Sequence, residues 1–279
     1  MTALTALPPI EVQGHRGARA ILPENTLPAF EYALKVGVDV LELDLAVTKD
    51  DRLVVSHDPI LNPVLCLGPD GKAPAEEVVI RAITLAELKR YDCGTLRNPR
   101  FPGQTPQPGA RVPTLEEVFD LLLRSKHEAA KRARLNLETK LLPARPAWAP
   151  APAEFARLLV AEIKKHHLED RVIVQSFDHR SLREVKRLLP SIPVATLSGE
   201  VYPDFVAMAK SVGAEIVSPN LEFVDRAAVD ALHAAGVRVI PWTANTEEQW
   251  RQLVALGVDG IITDDPAALI AFLKRQGRR

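Results

Sequence analysis

The sequence has few of the features that tie a protein to a membrane, to nucleic acid or to an oxidising compartment. It contains only two cysteines, Cys66 and Cys93, so no disulfide framework is expected to hold the fold, and a reducing compartment is the default expectation. Lys and Arg number 35 against 36 Asp and Glu. That balance gives no reason to expect binding to nucleic acid or to a charged membrane surface.

Long apolar runs are also missing. No segment approaches the roughly 18 apolar residues that span a bilayer. The start, Met1–Glu11, has neither the positive part nor the apolar part of a signal peptide. We therefore expect a cytoplasmic protein without stable membrane insertion, and the sequence does not indicate its oligomeric state.

What the sequence has instead is a regular alternation of strand-like and helix-like segments. Eight short segments are continuously apolar, as buried parallel strands are. They are Val12–Gly14, Val38–Val47, Arg134–Thr139, Val172–Ser176, Pro193–Leu197, Ala214–Ser218, Val237–Trp242 and Gly260–Thr263. Amphipathic helices separate most of them, and Gly37, Gly213, Gly236 and Gly257 each end a helix just before a strand, as left-handed C′ glycines do.

Eight such units in a chain of 279 residues predict a (β/α)₈ TIM barrel of the α/β class. The competing α/β arrangement is a doubly wound open sheet. No glycine-rich nucleotide-binding fingerprint follows the first strand, which disfavours that arrangement.

Two segments interrupt the repeat. Residues 59–113 separate the second and third barrel strands and are too long for a simple connecting loop, so we predict a small inserted subdomain there. The segment Leu142–Pro152 carries four prolines and is predicted to be stiff and extended. Because it follows the third strand, we expect it on the catalytic face.

Three carboxylates stand near strand ends, where the active site of such a barrel lies. Glu42 and Asp44 are two residues apart in the second strand, so both point to one side. If they face the barrel mouth, their repulsion requires a cation, and a hard divalent ion suits their oxygens. A solvated face is the less favoured alternative. Glu138 completes the predicted metal site and Lys140 can bind an anion beside it, although that pair also suits an exposed strand end.

Two histidines are predicted to flank these carboxylates. His15 ends the first strand beside Arg16, whose guanidinium matches phosphate oxygens. His57 follows the strand-like run 53–56, and the short connection to the second strand forces an antiparallel hairpin. A two-residue turn places His57 opposite Asp44, give or take one residue; without that register it is an ordinary surface or core histidine. Imidazoles with pKa values near 6.5 suit general acid–base catalysis.

The ordered motifs resemble those of glycerophosphodiester phosphodiesterases, within the phosphatidylinositol phospholipase C-like superfamily. They are Gly14-His15-Arg16-Gly17, Pro23-Glu24-Asn25-Thr26, Glu42-Leu43-Asp44, Thr48-Lys49-Asp50, His57-Asp58 and Asn136-Leu137-Glu138-Thr139-Lys140. Weaker matches follow at Gln175-Ser176-Phe177, Trp242-Thr243-Ala244-Asn245 and Gly257–Pro266. The resemblance covers essentially the whole chain.

The resemblance implies metal-dependent hydrolysis of glycerophosphodiesters to sn-glycerol 3-phosphate and an alcohol, with one Ca²⁺ or Mg²⁺ as cofactor. It also implies an insertion after the hairpin and a role for each site residue: Glu42, Asp44 and Glu138 as metal ligands, His15 and His57 as general acid and base, Arg16 and Lys140 as phosphate-binding residues, and Phe177 and Trp242 as apolar walls near the glycerol. The two aromatic residues equally suit plain core positions. From its place opposite Asp44 we expect His57 to be the base and His15 the acid.

Three details are specific to this chain. Asn25 is expected to organise its loop or to cap the following helix. Asp51 stands where the family often has glycine, in a turn that tolerates Asp. The segment Leu142–Pro152 is longer than the family leads us to expect, and Trp148 in it lies either over the substrate or on the inserted subdomain.

Two other functions stay open at this point. A phosphodiesterase that cleaves lysophospholipids or sphingolipids and forms a cyclic phosphate shares the two histidines and the acidic pair. Its mark is an exposed apolar patch, which the sequence does not reveal. A catalytically inactive barrel acting as a binding protein is disfavoured, because every expected catalytic position is filled.

Overall fold

Eight parallel strands form a nearly closed barrel in the computed structural model, which describes residues 8–279. The barrel strands are β1 (Glu11–Gly14), β2 (Val40–Val47), β4 (Arg134–Thr139), β5 (Val172–Ser176), β6 (Val194–Ser198), β7 (Ile216–Pro219), β8 (Arg238–Val239) and β9 (Gly260–Thr263). Their spatial order is β8-β7-β6-β5-β4-β2-β1-β9. Backbone hydrogen bonds from Asp259 N to Val239 O and from Ile262 N to Pro241 O join the two ends. The predicted (β/α)₈ barrel is confirmed.

The remaining strand, β3 (Leu53–Val55), forms an antiparallel hairpin with β2, as predicted. Leu45 pairs with Val55, and Ser56 N donates to Asp44 O at 3.0 Å. Ser56 therefore stands opposite Asp44, one residue from the expected position of His57. The difference arises because the turn is longer than two residues, with Asp51 in the left-handed region at φ 56°.

Helices fill the connections between strands. They are α1 (Leu27–Val36), α2 (Leu85–Leu88), α3 (Leu115–Arg124), α4 (Pro152–Lys165), α5 (His179–Leu188), α6 (Phe205–Lys210), α7 (Arg226–Ala234), α8 (Glu247–Leu256) and α9 (Pro266–Arg275). Gly37 and Gly257 end α1 and α8 in the left-handed conformation, as predicted. Apolar faces of these helices pack against the outward side chains of the strands, including Leu41, Leu43 and Leu45.

The inside of the barrel has two different halves. On the side of β1, β2, β4 and β5, amide side chains fill it: Asn136 Nδ2 donates to Gln13 Oε1 at 2.9 Å and to Gln175 Oε1 at 2.8 Å. A separate aliphatic cluster lies beside these amides and reaches from β5 round to β9; it is formed by Ile173, Ala195, Ile216, Ile240 and Ile262. The interior of the barrel is therefore partly polar and partly aliphatic.

The segment 59–113 contains only short elements, namely α2 and the 3-10 turn Ile80–Ala82. A small apolar cluster that includes Leu61, Ile80 and Leu88 packs against Val54 of the β2–β3 hairpin. The segment thus supports the hairpin that carries His57.

Cys66 and Cys93 form a disulfide within this segment. The bond does not reach the barrel, which is held together without it, as expected. The disulfide is evidence against the reducing compartment that we expected from the low cysteine count, because disulfides persist mainly in oxidising environments.

The proline-rich segment Leu142–Pro152 includes the 3-10 turn Pro146–Trp148, which contacts the turn Ile80–Ala82. The guanidinium of Arg145 lies 5.0 Å from the ring centre of Trp148. Of the two positions considered for Trp148, the structure therefore favours the one against segment 59–113.

No helix among residues 8–279 is long and apolar enough to cross a membrane. Most of the segment Met1–Glu11, on which the expectation of no signal peptide depends, lies outside the described residues.

Candidate active site

The loop after β1 places His15 and Arg16 at the barrel mouth. Its tightness requires glycine at both ends: a Cβ on Gly14 would lie 2.3 Å from Gly17 O, and one on Gly17 would lie 2.8 Å from the backbone of Ala29. Gly17 and Arg16 both have positive φ, of 87° and 50°. The motif Gly-His-Arg-Gly is thus a turn that packs on α1 and turns the two side chains between its glycines into the site.

Glu42, Asp44 and Glu138 meet at the mouth, as the alternation of β2 and β4 predicted. All three are buried, and each offers an oxygen within 4.8 Å of the others. Arg16 N donates to Glu42 Oε2 at 2.9 Å and Gln175 Nε2 to Glu42 Oε1 at 2.7 Å. Burial, followed by the neighbouring carboxylates, raises the pKa of Glu42 well above its usual range. Two hydrogen-bond donors thus hold the Glu42 carboxyl group in place, while burial and the neighbouring carboxylates disfavour its charged form.

Two cations border this cluster. Lys140 Nζ lies 2.8 Å from Glu138 Oε1 and 3.4 Å from Asp44 Oδ1, and Arg16 Nε lies 3.3 Å from Asp44 Oδ2. Burial raises the pKa of Asp44, but Lys140 and Arg16 together hold it well below its usual range. Asp44 is therefore ionised.

Asn25 does not cap α1; Thr26 does, accepting a hydrogen bond from Ala29 N. Asn25 instead adopts a positive φ of 57° and donates from Nδ2 to Asp44 Oδ2 at 2.9 Å. Its side chain thus belongs to the carboxylate cluster, which the sequence did not indicate.

His15 is held by a carboxylate from the last strand. Its Nδ1 lies 2.6 Å from Asp264 Oδ1, while Arg19 donates to both oxygens of Asp264 at 2.9 and 3.0 Å. Asn245 Nδ2 adds a further hydrogen bond of 2.8 Å. Burial lowers the pKa of His15 to about 4, against the opposing effect of Asp264. At neutral pH the ring is neutral; its Nδ1–H donates to Asp264, and Nε2 lies 4.0 Å from Glu42 Oε2.

His57 has a similar arrangement at the end of the β2–β3 hairpin. Its Nδ1 lies 2.8 Å from Asp58 Oδ1, and Asn62 Nδ2 lies 3.4 Å from the other oxygen of Asp58. The His57 side chain is 34% exposed, against 10% for His15. The two imidazoles therefore differ in depth, one buried on β1 and one near the opening on the hairpin.

Both histidines, Arg16, Lys140, Glu42 and Glu138 line one cavity of about 560 Å³, and Asp44 belongs to the same carboxylate cluster. Its charged half is formed by residues that follow β1, β2 and β4. Its apolar half is formed after β5 to β8 by Phe177, Leu197, Leu221 and Trp242. Phe177 and Trp242 pack edge to face at 5.5 Å, and Phe177 is 47% exposed. Neither aromatic residue is therefore a plain core residue, and both form a wall of the cavity.

Every residue predicted for the site lines this cavity or belongs to its carboxylate cluster. The sequence interpretation missed Asp264, Arg19, Asn245 and Gln175. A signal for Asp264 was present, because it directly follows β9 and polar residues at strand ends had marked the rest of the site. Arg100 and Phe101 also line the cavity, from the segment 59–113.

Comparison with known proteins agrees with this geometry. Residues 15–268 match the model of the glycerophosphoryl diester phosphodiesterase family. The chain belongs to this family. A glycerophosphodiester phosphodiesterase of Caldanaerobacter subterraneus is 33% identical over 272 residues, covering 95% of this chain and 98% of that protein. One of Bacillus altitudinis is 35% identical over 259 residues, covering 92% and 95%.

Solved structures of this family have the same fold. A Silicibacter pomeroyi protein assigned as a glycerophosphoryl diester phosphodiesterase superposes with a TM-score of 0.90 at 32% identity, covering 97% of this chain and 95% of that one. An Oleispira antarctica phosphodiesterase, solved with the product sn-glycerol 3-phosphate, superposes with a TM-score of 0.78 at 24% identity, covering 96% and 97%. The chain is thus a phosphoric diester hydrolase of the glycerophosphodiester phosphodiesterase family on a TIM barrel, and the inactive binding protein is set aside.

Proposed function

We propose that the enzyme hydrolyses glycerophosphodiesters to sn-glycerol 3-phosphate and an alcohol with the help of one divalent cation and two histidines. The observation that carries the proposal is the common cavity that His15 and His57 line together with Glu42 and Glu138 of the carboxylate cluster Glu42, Asp44 and Glu138. The Oleispira antarctica phosphodiesterase, which binds sn-glycerol 3-phosphate, agrees with the choice of product. From the sequence composition we also propose a cytoplasmic location. The Cys66–Cys93 disulfide is an observation against that location.

The cation would be held by Glu42, Asp44 and Glu138. Their buried oxygens are close enough to share one ion, and Asp44 Oδ1 makes no hydrogen bond although it is buried. Carboxylate oxygens are the ligands that Ca²⁺ and Mg²⁺ prefer, so the donor set fits either ion. When bound, the ion supplies positive charge for the phosphate oxygens.

Arg16 and Lys140 would bind the phosphate beside that cluster. Both cations face the cavity, and Arg16 stays charged at any physiological pH. Burial lowers the pKa of Lys140, but Glu138 and Asp44 outweigh burial and raise it, so the ammonium group persists. The two side chains thus provide fixed positive charge for an anionic substrate.

The histidines would move the protons. The Nδ1 atom of each ring faces a carboxylate, which leaves Nε2 for proton exchange with the substrate. One ring takes the proton of the hydroxyl group that attacks phosphorus, which belongs either to water or to the glycerol of the substrate. The other ring protonates the departing alcohol. The buried position of His15 suits the base and the partly exposed position of His57 suits an acid on the leaving-group side. We therefore propose the reverse of the order expected from sequence.

The test is a product assay on glycerophosphocholine and glycerophosphoethanolamine, with and without a chelator. We expect sn-glycerol 3-phosphate and the free alcohol, formed only when a divalent cation is present. Release of a phosphorylated head group instead of sn-glycerol 3-phosphate would contradict the proposal.

A further inference from the structure

Segment 59–113 forms part of the rim of the cavity through a loop of its own. Residues 94–107 leave the segment and return to it at one point, where Gln107 N donates to Gly94 O at 2.7 Å. A Cβ on Gly94 would overlap Gln107 O, so only glycine lets the two ends meet this closely. We call residues 94–107 the rim loop. Two of its residues, Arg100 and Phe101, line the cavity.

The rim loop is fixed to the loop that follows β1. The buried side chain of Gln104 donates to Arg19 O at 2.7 Å. Thr105 N donates to Ile21 O at 2.8 Å. The guanidinium of Arg19 lies 5.0 Å from the ring centre of Phe101. The part of the rim loop that lines the cavity is therefore held in place by the barrel.

Arg100 lies in a tight turn of the rim loop. Phe101 N donates to Asn98 O at 2.9 Å, which makes Pro99 and Arg100 the two central residues of a β-turn. The side chain of Asn98 accepts from Arg100 N at 3.0 Å, and its Nδ2 lies 3.4 Å from Glu24 Oε2. Asn at the first position and Pro at the second favour such a turn. The turn fixes the backbone of Arg100, while its side chain is exposed at the edge of the cavity.

Arg100 differs from the other cations that line the cavity because it has no acidic partner. Each of the other three has a carboxylate oxygen within 3 Å of a side-chain nitrogen: Arg16, Arg19 and Lys140. Among residues 8–279, no carboxylate oxygen lies within 4.0 Å of the Arg100 guanidinium. A guanidinium without a partner at a binding cavity is free to pair with a carboxylate or phosphate of a ligand, in a bidentate geometry.

The rim loop borders the side of the cavity on which the alcohol of the substrate is proposed to leave. Leu96 and Gln104 of the rim loop line a second, smaller cavity together with His57 and Asp58. In the proposed function His57 protonates the departing alcohol, so the alcohol lies beside His57 and near the rim loop. The glycerol takes the place expected for it, against the two aromatic residues of the apolar half. Arg100 is thus positioned to contact the head group.

We propose that Arg100 determines head-group specificity by pairing with a negatively charged substituent of the alcohol, such as the carboxylate of glycerophosphoserine. Hydrolysis of that substrate breaks the P–O bond to serine. Water supplies a hydroxyl group to phosphorus and a proton to the serine oxygen, which gives sn-glycerol 3-phosphate and serine. This inference rests on the proposed function, because it uses the same phosphate-binding groups and histidines.

The experiment compares glycerophosphoserine with glycerophosphoethanolamine, which differ by a single carboxylate. We expect the ratio of their kcat/KM values to fall about fivefold in Arg100→Gln, as is typical of an exposed ion pair. Arg100→Lys keeps the charge without the planar fork and should retain part of the ratio. The matched control is Arg97→Gln, which changes an exposed arginine of the rim loop outside the cavity and should leave both kcat/KM values unchanged. In the wild type, added salt should lower the ratio, because salt screens an exposed pair.

Each other outcome has a separate meaning. An unchanged ratio in Arg100→Gln overturns the inference. An equal loss of kcat/KM for both substrates also overturns it, because Arg100 would then bind the phosphodiester that the two substrates share. A wild-type ratio that salt does not change overturns the pairing even if Arg100→Gln fails to fold. Failure of the wild type to hydrolyse either substrate overturns the proposed function and, with it, this inference.

Discussion

The carboxylate of Asp264 lies 2.6 Å from Nδ1 of His15, although the two residues are 249 positions apart in the chain. The contact exists because β1 and β9 are neighbours, with Gly14 paired to Thr263, so the residues that follow each strand meet. Two further donors, Arg19 and Asn245, fix the same carboxylate. Asp264 therefore sets both the orientation and the tautomer of His15, and we regard it as a positioning residue.

The first prediction tests this relationship. Asp264→Asn should lower kcat on the order of 10²-fold or more, because the imidazole loses the partner that fixes its tautomer. The double variant His15→Ala/Asp264→Asn should be no slower than His15→Ala, since both changes act through one ring. Asp259→Asn is the control, because Asp259 pairs with the exposed His233 at 2.9 Å outside the cavity. Additive losses in the double variant would show that Asp264 acts independently of His15.

The second prediction concerns the cation. Excess chelator should abolish activity, and added Ca²⁺ or Mg²⁺ should raise the melting temperature of the chelator-treated protein, because an ion bound only to the folded state stabilises it. Glu42→Gln should remove the increase in melting temperature. The control is Glu116→Gln. Glu116 belongs to a second group of possible metal ligands, with Glu162 and His166, but the carboxylates of Glu116 and Glu162 already contact Lys165 at 3.0 and 3.3 Å. Full activity in excess chelator would rule out the metal requirement.

The third prediction concerns the proton carriers. His15→Ala and His57→Ala should each lose about 10²–10⁴-fold in kcat while circular dichroism shows an unchanged fold. His233→Ala serves as the control, because that histidine lies outside the cavity. Near-normal kcat in either site variant would remove that histidine from the proposed mechanism.

The fourth prediction concerns the nucleophile. The glycerol of the substrate carries a hydroxyl group beside the phosphate, and attack by that group would profit from proximity. It would break the P–O bond to the alcohol and give a cyclic glycerol phosphate, which water would then open to sn-glycerol 3-phosphate. A 2-deoxy analogue with an intact phosphodiester should then bind normally and be turned over far more slowly. Inhibition and turnover measured on the same analogue separate binding from chemistry. Normal turnover would assign the attack to water.

The fifth prediction concerns stability in acid. Burial raises the pKa of Asp264, but His15 and Arg19 outweigh burial and lower it well below its usual range. An unfolded Asp titrates near pH 3.9, so the unfolded state takes up the proton first as pH falls, and the stabilisation is lost below that pH. Asp264→Asn should therefore be destabilised at pH 7, on the order of 3 kcal/mol.

The difference in free energy of unfolding between the wild type and Asp264→Asn should shrink between about pH 5 and pH 3, where Asp in the unfolded state becomes protonated. Denaturant unfolding of both proteins at several pH values measures it. A difference that stays constant over this range would contradict the assignment of an ionised Asp264.

Local sequence patterns were sufficient for the parts of the site that lie within one strand or hairpin. The alternation of β2 placed Glu42 and Asp44 on one face, and the short connection after it placed His57 nearby. The register differed by one residue because turn length is not fixed by composition alone.

Contacts between distant segments could not be predicted. The pairing of Asp264 with His15 depends on barrel closure, and the pairing of Cys66 with Cys93 depends on how segment 59–113 folds. Phe177, after β5, and Trp242, after β8, are single aromatic residues in the sequence. Their edge-to-face contact at 5.5 Å depends on how the strand ends come together at the barrel mouth.

The two halves of the cavity also occupy different stretches of the gene product. The residues proposed for phosphate, cation and proton transfer fall within residues 15–140, with Gln175, Asn245 and Asp264 as supporting groups, whereas the apolar lining comes from residues 177–242. If the apolar lining contacts one substituent of the phosphodiester, as we propose, substitutions in the second stretch would alter which substituent is accepted and leave the hydrolytic groups unchanged. Selectivity would then be able to change in evolution separately from the chemistry.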